Sequence, residues 1–196
     1  MNFDSFGYYN EKPDSGISGE ANTIFFDRDK FELLDKRNFY LTDTPDTESK
    51  LEGQSSHYRT VTHARLKHRE EIISVFNTHF DHLSDDVRER ESAALVGIIA
   101  SIKPEHYILC GDFNGDIESR QMRILKDNFN LVSEYIADRI TVIDWSESHP
   151  PRKCLDFIFS NLAKKTARVD DSTYLSSDGE RRTPSDHLPI VCELEI

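Results

Sequence analysis

The sequence predicts a mixed domain of the α/β or α+β class. Most of its apolar runs are short and rich in β-branched or aromatic residues, as strands require, while two longer stretches repeat apolar residues at helical spacing. No internal repeat and no interdomain linker interrupts the chain, and 196 residues suffice for one well-buried domain but not for two. Strands with helices inserted between them suggest sheets covered by helices, and periodicity alone does not choose between α/β and α+β.

Residues 1–22 are rich in Gly, Ser, Asn and Asp and read as loop. A short β-rich run at 23–26 is followed by the turn-like Asp27-Arg28-Asp29-Lys30. Residues 31–41 mix apolar and charged side chains, as a strand pair around a turn would. Residues 42–56 hold Pro45 and Gly53 and read as a long surface loop. A roughly alternating strand at 59–66 and a stronger one at 72–76 follow, the second running into Asn77-Thr78-His79. Ser84 is placed to N-cap a helix over 85–102, with Asp85 and Asp86 suited to the positive end of its dipole. Val87, Ala94, Leu95, Ile98, Ile99 and Ile102 fall on one face of that helix, and Pro104 closes it. Residues 107–110 read as a strand ending at Gly111-Asp112, and 118–129 as a weaker helix. Residues 140–145, 155–159 and 188–196 read as further strands. In the last, Ile190, Cys192, Leu194 and Ile196 alternate, so one face is expected to be buried.

Seven Tyr, twelve Phe and one Trp exclude a disordered chain, and no stretch has the apolar length of a membrane span. The formal net charge of −12 opposes binding driven by phosphate neutralisation, so a DNA-binding protein without catalysis fits poorly. An acidic protein acting on a phosphate ester needs a cation to offset local repulsion, although the same charge also serves solubility. Cys110, Cys154 and Cys192 match neither a disulfide framework nor a zinc pattern and read as buried free thiols. The opening residues lack the basic head and apolar run of a signal peptide, and the compartment is left open.

Polar residues that can do chemistry gather where strands end. In Gly111-Asp112-Phe113-Asn114 a carboxylate and an amide two residues apart point to one side of an extended chain and offer oxygen ligands for a hard cation; taken alone, the segment reads equally as an Asx turn. In Ser185-Asp186-His187-Leu188-Pro189 neighbouring Asp and His can supply a metal ligand and a general acid or base, or a solvated turn. Asp156 lies among four apolar neighbours in Leu155-Asp156-Phe157-Ile158-Phe159, so it is expected to be partly buried and to need a partner, for which protonated His187 is a candidate. His79 ends the 72–76 run. Glu20, after Gly19, is by itself only a loop carboxylate.

Each motif is weak alone, but their order is specific. Asn77-Thr78-His79, Gly111-Asp112-Phe113-Asn114, Leu155-Asp156-Phe157-Ile158 and Ser185-Asp186-His187-Leu188-Pro189 together resemble the motif series of the endonuclease/exonuclease/phosphatase family. Gly19-Glu20, the segment 24–34 and the segment 39–46 resemble that family's central part. The resemblance covers residues 19–196, with 1–18 as a loop or a leader foreign to the family. It implies a four-layer α/β/β/α sandwich of two mixed sheets with its site at one end. It also implies metal-dependent hydrolysis of a phosphoester or phosphodiester by in-line attack of water, with Mg²⁺ or Mn²⁺ as cofactor. By resemblance, Asp112 and Asn114 orient the water and contact metal and phosphate, and Asp186 is a metal-side carboxylate. His187 is the catalytic histidine, oriented by Asp156, and His79 contacts phosphate or leaving group with support from Glu20.

The family's domain opens with a strand bearing Asn and a second strand ending in Gln-Glu, whose Glu is a principal metal ligand. Residues 1–18 show neither, so the chain reads as amino-terminally truncated and the sandwich as lacking its opening strands. Two functional readings follow: a phosphoric ester hydrolase, or a catalytically silent paralogue serving as a binding or structural module. The substrate is a phosphoester, with nucleic acid, sugar or inositol phosphate and phospholipid all open.

Overall fold

A computed structural model of the chain describes residues 2–7, 21–136, 139–142 and 154–196. Its frame is a five-stranded mixed sheet in the order β3-β4-β5-β6-β7. Strands β3 (Glu32–Tyr40), β4 (Thr60–His68) and β5 (Glu71–His79) form an antiparallel meander. Helix α1 (Asp85–Ile102) carries the chain across to β6 (His106–Asp112), which lies parallel to β5, as a helical crossover requires. Helix α2 (Arg120–Asn128) precedes β7 (Asp156–Ser160), antiparallel to β6. Three smaller antiparallel pairs complete the described strands. In chain order they join β1 (Phe3–Phe6) to β2 (Ile24–Asp27), β8 (Ala163–Val169) to β11 (Ile190–Glu195), and β9 (Tyr174–Leu175) to β10 (Arg181–Arg182). The result is a mixed α+β arrangement, one of the two classes that the sequence leaves open.

Alternation along the strands sorts the core onto two faces. Phe39, Val61, Phe76, Leu109, Phe157 and Phe159 face the helices and pack with Leu95, Ile98 and Ile99 of α1 and Met122 and Leu125 of α2. Ala64 and Leu66 point the other way, against Ile24 and Phe26 of β2. Helix α1 has the predicted bounds. Ser84 caps it by accepting from the Val87 N–H, and Lys103 ends it in the left-handed conformation, its N–H bonded to the Ile99 carbonyl.

Several local expectations change. Phe3–Phe6, read as loop, is a strand because its backbone pairs with β2. Residues 31–41, read as a strand pair, are spanned by the single strand β3 with a bulge between Leu33 and Asp35; the charged residues lie on its exposed positions rather than in a turn. Strand β8, not anticipated, carries mostly polar residues and is defined by its pairing with β11. The predicted buried face of β11 is only half covered, and Ile196 is exposed. Residues 42–56 are irregular as expected, yet Thr42, Leu51 and Ser55 are buried and the Lys50 ammonium closes the loop onto the carbonyls of Ser55 and Ser56. Of the predicted strand at 140–145, residues 143–145 lie outside the described residues, and Val142 makes an isolated bridge to His187.

Candidate active site

The sheet's hydrogen-bond register assembles the polar residues into one row. His79 is the last residue of β5, Asp112 the last of β6 and Asp156 the first of β7; in register, His79 lies opposite Asp112 and Asp112 opposite Asp156. The row is locked by backbone bonds past the strand ends, from Phe80 N–H to the Asp112 carbonyl and from Phe113 N–H to the Leu155 carbonyl, each 2.9 Å. Behind it Phe80, Phe113 and Phe157 are fully buried, so the carboxylates stand at the rim of an aromatic core. Gly111 makes the spacing possible: a Cβ there would overlap the Thr78 carbonyl oxygen of the neighbouring strand.

His187 comes to this row from the segment before β11. Its backbone is anchored by the bridge to Val142, and the following Leu188 N–H bonds to the Thr141 carbonyl at 2.7 Å. Its ring Nδ1 lies 2.9 Å from Asp156 Oδ2 and its Nε2 3.9 Å from Asp112 Oδ2. The buried-carboxylate argument for an Asp156–His187 pair therefore holds. The hydrogen bond to Asp156 pushes the His187 pKa up to about 9, with Coulombic help from Asp156, Asp112 and Asp186, so Nδ1 donates and the ring is a cation near neutrality. The Asp112 pKa is raised as well: burial and the neighbouring Asp156 charge push it up to about 6, against the pull of the Asn114 N–H, His187 and Arg59.

His79 Nε2 stands 3.5 Å from Asp112 Oδ2, so one carboxylate oxygen faces both imidazoles. Asn114 sits beside it with positive φ, a conformation that Asn tolerates; its N–H bonds to Asp112 Oδ1 at 2.8 Å and its side-chain amide to the Phe80 carbonyl at 2.8 Å. Asp186 is exposed, its carboxylate accepting from the Ser185 hydroxyl. Glu20 lies outside the described residues, so its pairing with His79 has no counterpart here. Among the described residues one group offers three ligand atoms within 4.8 Å of one another: Asp112, Asp156 and His187. Asp156 occupies Nδ1 of His187 and leaves only Nε2 facing Asp112, so His187 is read as the proton-bearing partner and the carboxylates as the cation-facing side. A divalent cation fits the donor set, since Asp112 is a partly buried carboxylate already opposed by a second one.

Beneath the row lies a buried ionic network that the motifs do not reveal. Asp81, fully buried, accepts from the N–H groups of Ser55 and Leu83 and pairs with the equally buried Arg59 at 3.9 Å. Burial opposes its charge, but these bonds and Arg59 hold its carboxyl below the usual range. Glu91 accepts from the Asp81 N–H and the Gln54 amide, and burial pushes it up to about 7. A signal existed for Glu91, which shares the helical face of Val87, Leu95 and Ile98. Arg59 carries none, because the partners of its guanidinium, Asp81 and His82, are more than twenty residues away in sequence.

The sequence model of the Endonuclease/Exonuclease/phosphatase family matches residues 3–187. The chain belongs to this family. No curated protein sequence matches it. Among solved structures it is similar to a mannosyl-6-phosphatase of Bacteroides thetaiotaomicron VPI-5482, at 26% identity and a TM-score of 0.85 over 100% of this chain and 78% of that one. A second Bacteroides thetaiotaomicron structure, an endonuclease/exonuclease/phosphatase family protein, gives 26% identity and a TM-score of 0.83 over 96% and 73%. The human Nocturnin catalytic domain with bound sulfate shares the fold at 20% identity, with a TM-score of 0.67 over 97% of this chain and 71% of that one.

Proposed function

We propose that the chain is a metal-dependent phosphoester hydrolase whose catalytic centre is the row His79, Asp112, Asp156 and His187. The supporting observation is the Asp156–His187 hydrogen bond beside a carboxylate whose pKa is raised, a pairing that separates an acid from a base at one strand end. His187, held cationic and oriented by Asp156, presents its Nε2–H to a non-bridging phosphoryl oxygen and stabilises charge as it develops there. Asp112, ionised above about pH 6, orients the attacking water in line and accepts its proton, with Asn114 fixing the carboxylate through its backbone N–H. His79, on the other side of Asp112, contacts the phosphate or the leaving group, with Glu20 as its support by family resemblance.

Asp112, with Asn114 and Asp186 by the same resemblance, would hold Mg²⁺ or Mn²⁺. The ion, when bound, polarises a phosphoryl oxygen and offsets the charge of this acidic site. The domain so read spans 19–196. A small phosphorylated metabolite is favoured as substrate over nucleic acid: the chain carries a net charge of −12, and a relative it resembles over its full length is a mannosyl-6-phosphatase.

The test is hydrolysis of mannose 6-phosphate, p-nitrophenyl phosphate, bis-p-nitrophenyl phosphate and single-stranded DNA with Mg²⁺ or Mn²⁺. Turnover of a monoester is expected, with His187→Ala and Asp112→Ala each lowering kcat by about 10²–10⁴-fold. A folded wild-type chain inert toward the whole panel would overturn the reading in favour of a silent binding module.

A further inference from the structure

The helix-facing side of the main sheet changes character along its strands. Near the catalytic row it is apolar. Toward the start of β5, five residues and roughly 16 Å from His79, it becomes polar. In register there, Arg37 lies opposite His63 and His63 opposite Phe76, while Asp35 lies opposite Arg65 and Arg65 opposite Ser74. The end of α1, from Ser101 through the left-handed Lys103 to Pro104 and Glu105, borders this patch, and together they form an open cavity of ≈ 550 Å³ whose charged residues are exposed and whose floor holds His63 and Ser74. That is ample for a small metabolite.

His63 is the unusual group in it. It is 1% exposed, yet among the described residues neither Nδ1 nor Nε2 has a hydrogen-bond partner. The ring is fixed by stacking on Phe76, with centroids 4.5 Å apart and planes 13° from parallel. Buried polar atoms ordinarily find partners, and two orphans on one rigid ring lining a cavity point to a group supplied from outside the chain. Burial is the main cause that pushes His63 down to about 4, and the charges of Arg65 and Arg37 add to it against Asp35; the ring is neutral and offers one donor and one acceptor. That combination matches a hydroxyl, which can accept and donate at once. Two residues along the same face of β4, about 7 Å away, stands Arg65. Among the described residues, Arg65 and Lys103 form no ion pair within 4.0 Å, whereas Arg37 is paired with Asp46. Asp35 and Glu105 also line the cavity, so its charge is balanced and the ligand must be small enough to reach the cations without meeting the carboxylates.

We propose that this cavity binds a small hydroxylated organic anion, its oxyanion against Arg65 and Lys103 and its hydroxyl against the His63 ring. Phosphate esters of polyols and hydroxycarboxylates share this chemistry. The site is remote from the catalytic row and does not depend on its assignment.

The experiment is a titration of the metal-free chain, labelled with ¹⁵N-histidine, with glycerol 3-phosphate, glycerate and inorganic phosphate, the His63 signals being assigned through His63→Phe. Glycerol 3-phosphate or glycerate is expected to move the His63 signals saturably, and which of them does so distinguishes the phosphate from the carboxylate source. Arg65→Ala should weaken that binding at least about tenfold, equivalent to about 1.4 kcal/mol. His63→Phe, which keeps the stack on Phe76 and removes both orphan nitrogens, should fold and bind either probe more weakly by calorimetry. The proposal is overturned if neither organic probe moves His63 at tens of millimolar, if Arg65→Ala or His63→Phe leaves binding unchanged, or if inorganic phosphate binds as well as the hydroxylated probes. None of these outcomes bears on His187 or Asp112, so failure here is separate from failure of the hydrolase reading.

Discussion

At the scale of single residues, the site is a pair of groups, Asp112 and His187, whose pKa values are both raised by their surroundings. Asp156 accepts from His187 Nδ1 at 2.9 Å and so favours the imidazolium, while its charge and burial disfavour ionised Asp112. Removing that one charge should move both groups. In metal-free Asp156→Asn the His187 pKa is expected to fall from about 9 toward its ordinary 6.5, and the Asp112 pKa to fall from about 6 by less, because burial, the larger cause of its rise, remains; both are read by NMR titration. A His187 value unchanged in the variant would refute the pairing. The sign for stability follows. A group whose folded pKa is raised stabilises below its ordinary pKa and loses that contribution as pH rises through the folded value. For His187 the loss falls between 6.5 and about 9. The urea midpoint of the metal-free protein should therefore drop across that window, and the drop attributable to His187 should be absent from His187→Ala.

At the scale of elements, what matters is that three strand ends stop in register. The parallel β5–β6 pair sets His79 beside Asp112, and the antiparallel β6–β7 pair sets Asp112 beside Asp156. Gly111 is where this register is most exposed to perturbation. Gly111→Ala is expected to force β5 and β6 apart, because the added methyl meets the Thr78 backbone rather than a movable side chain. The expected result is a loss of about 1–3 kcal/mol in urea unfolding and a larger fall in kcat than in substrate affinity. An unperturbed kcat would show that the register tolerates the methyl. The network under the row is equally local. Glu91→Gln removes one of two carboxylate acceptors facing the Asp81 N–H and the Gln54 amide, and should cost about 1–3 kcal/mol at pH 8 by the same measurement. The motif residues at these strand ends were readable because short apolar runs stop at polar groups. Arg59 was not, since nothing in Arg59-Thr60-Val61 distinguishes a buried guanidinium from a solvated one.

At the scale of the molecule, net charge and site charge act together. A protein of charge −12 with an acidic rim should gain stability from a bound divalent cation. Mg²⁺ or Mn²⁺ at a hundredfold excess over Kd would add about 2.7 kcal/mol. In a chain of this size each kcal/mol raises Tm by about 2–4 °C. The rise is expected in the wild type and absent in Asp112→Ala; equal rises in both would place the cation elsewhere. The free thiols add no cross-link, and burial pushes Cys110 up to about 11, so oxidation there is disfavoured.

By itself, the sequence determined the class of fold, the span and cap of α1, the ordered motif series and the expectation that Asp156 needs a cationic partner. These are local properties: periodicity, capping chemistry and the cost of burying a charge act within a few residues of their cause. Only the tertiary structure decided which strand ends meet, that β3 is one strand and residues 3–6 another, and that Asp112 stands between two histidines. It also decided that Arg59, Asp81 and Glu91 share a buried network and that His63 lines a cavity with both nitrogens unpaired among the described residues. Those facts depend on hydrogen-bond register and on burial by distant segments, which no window of sequence contains.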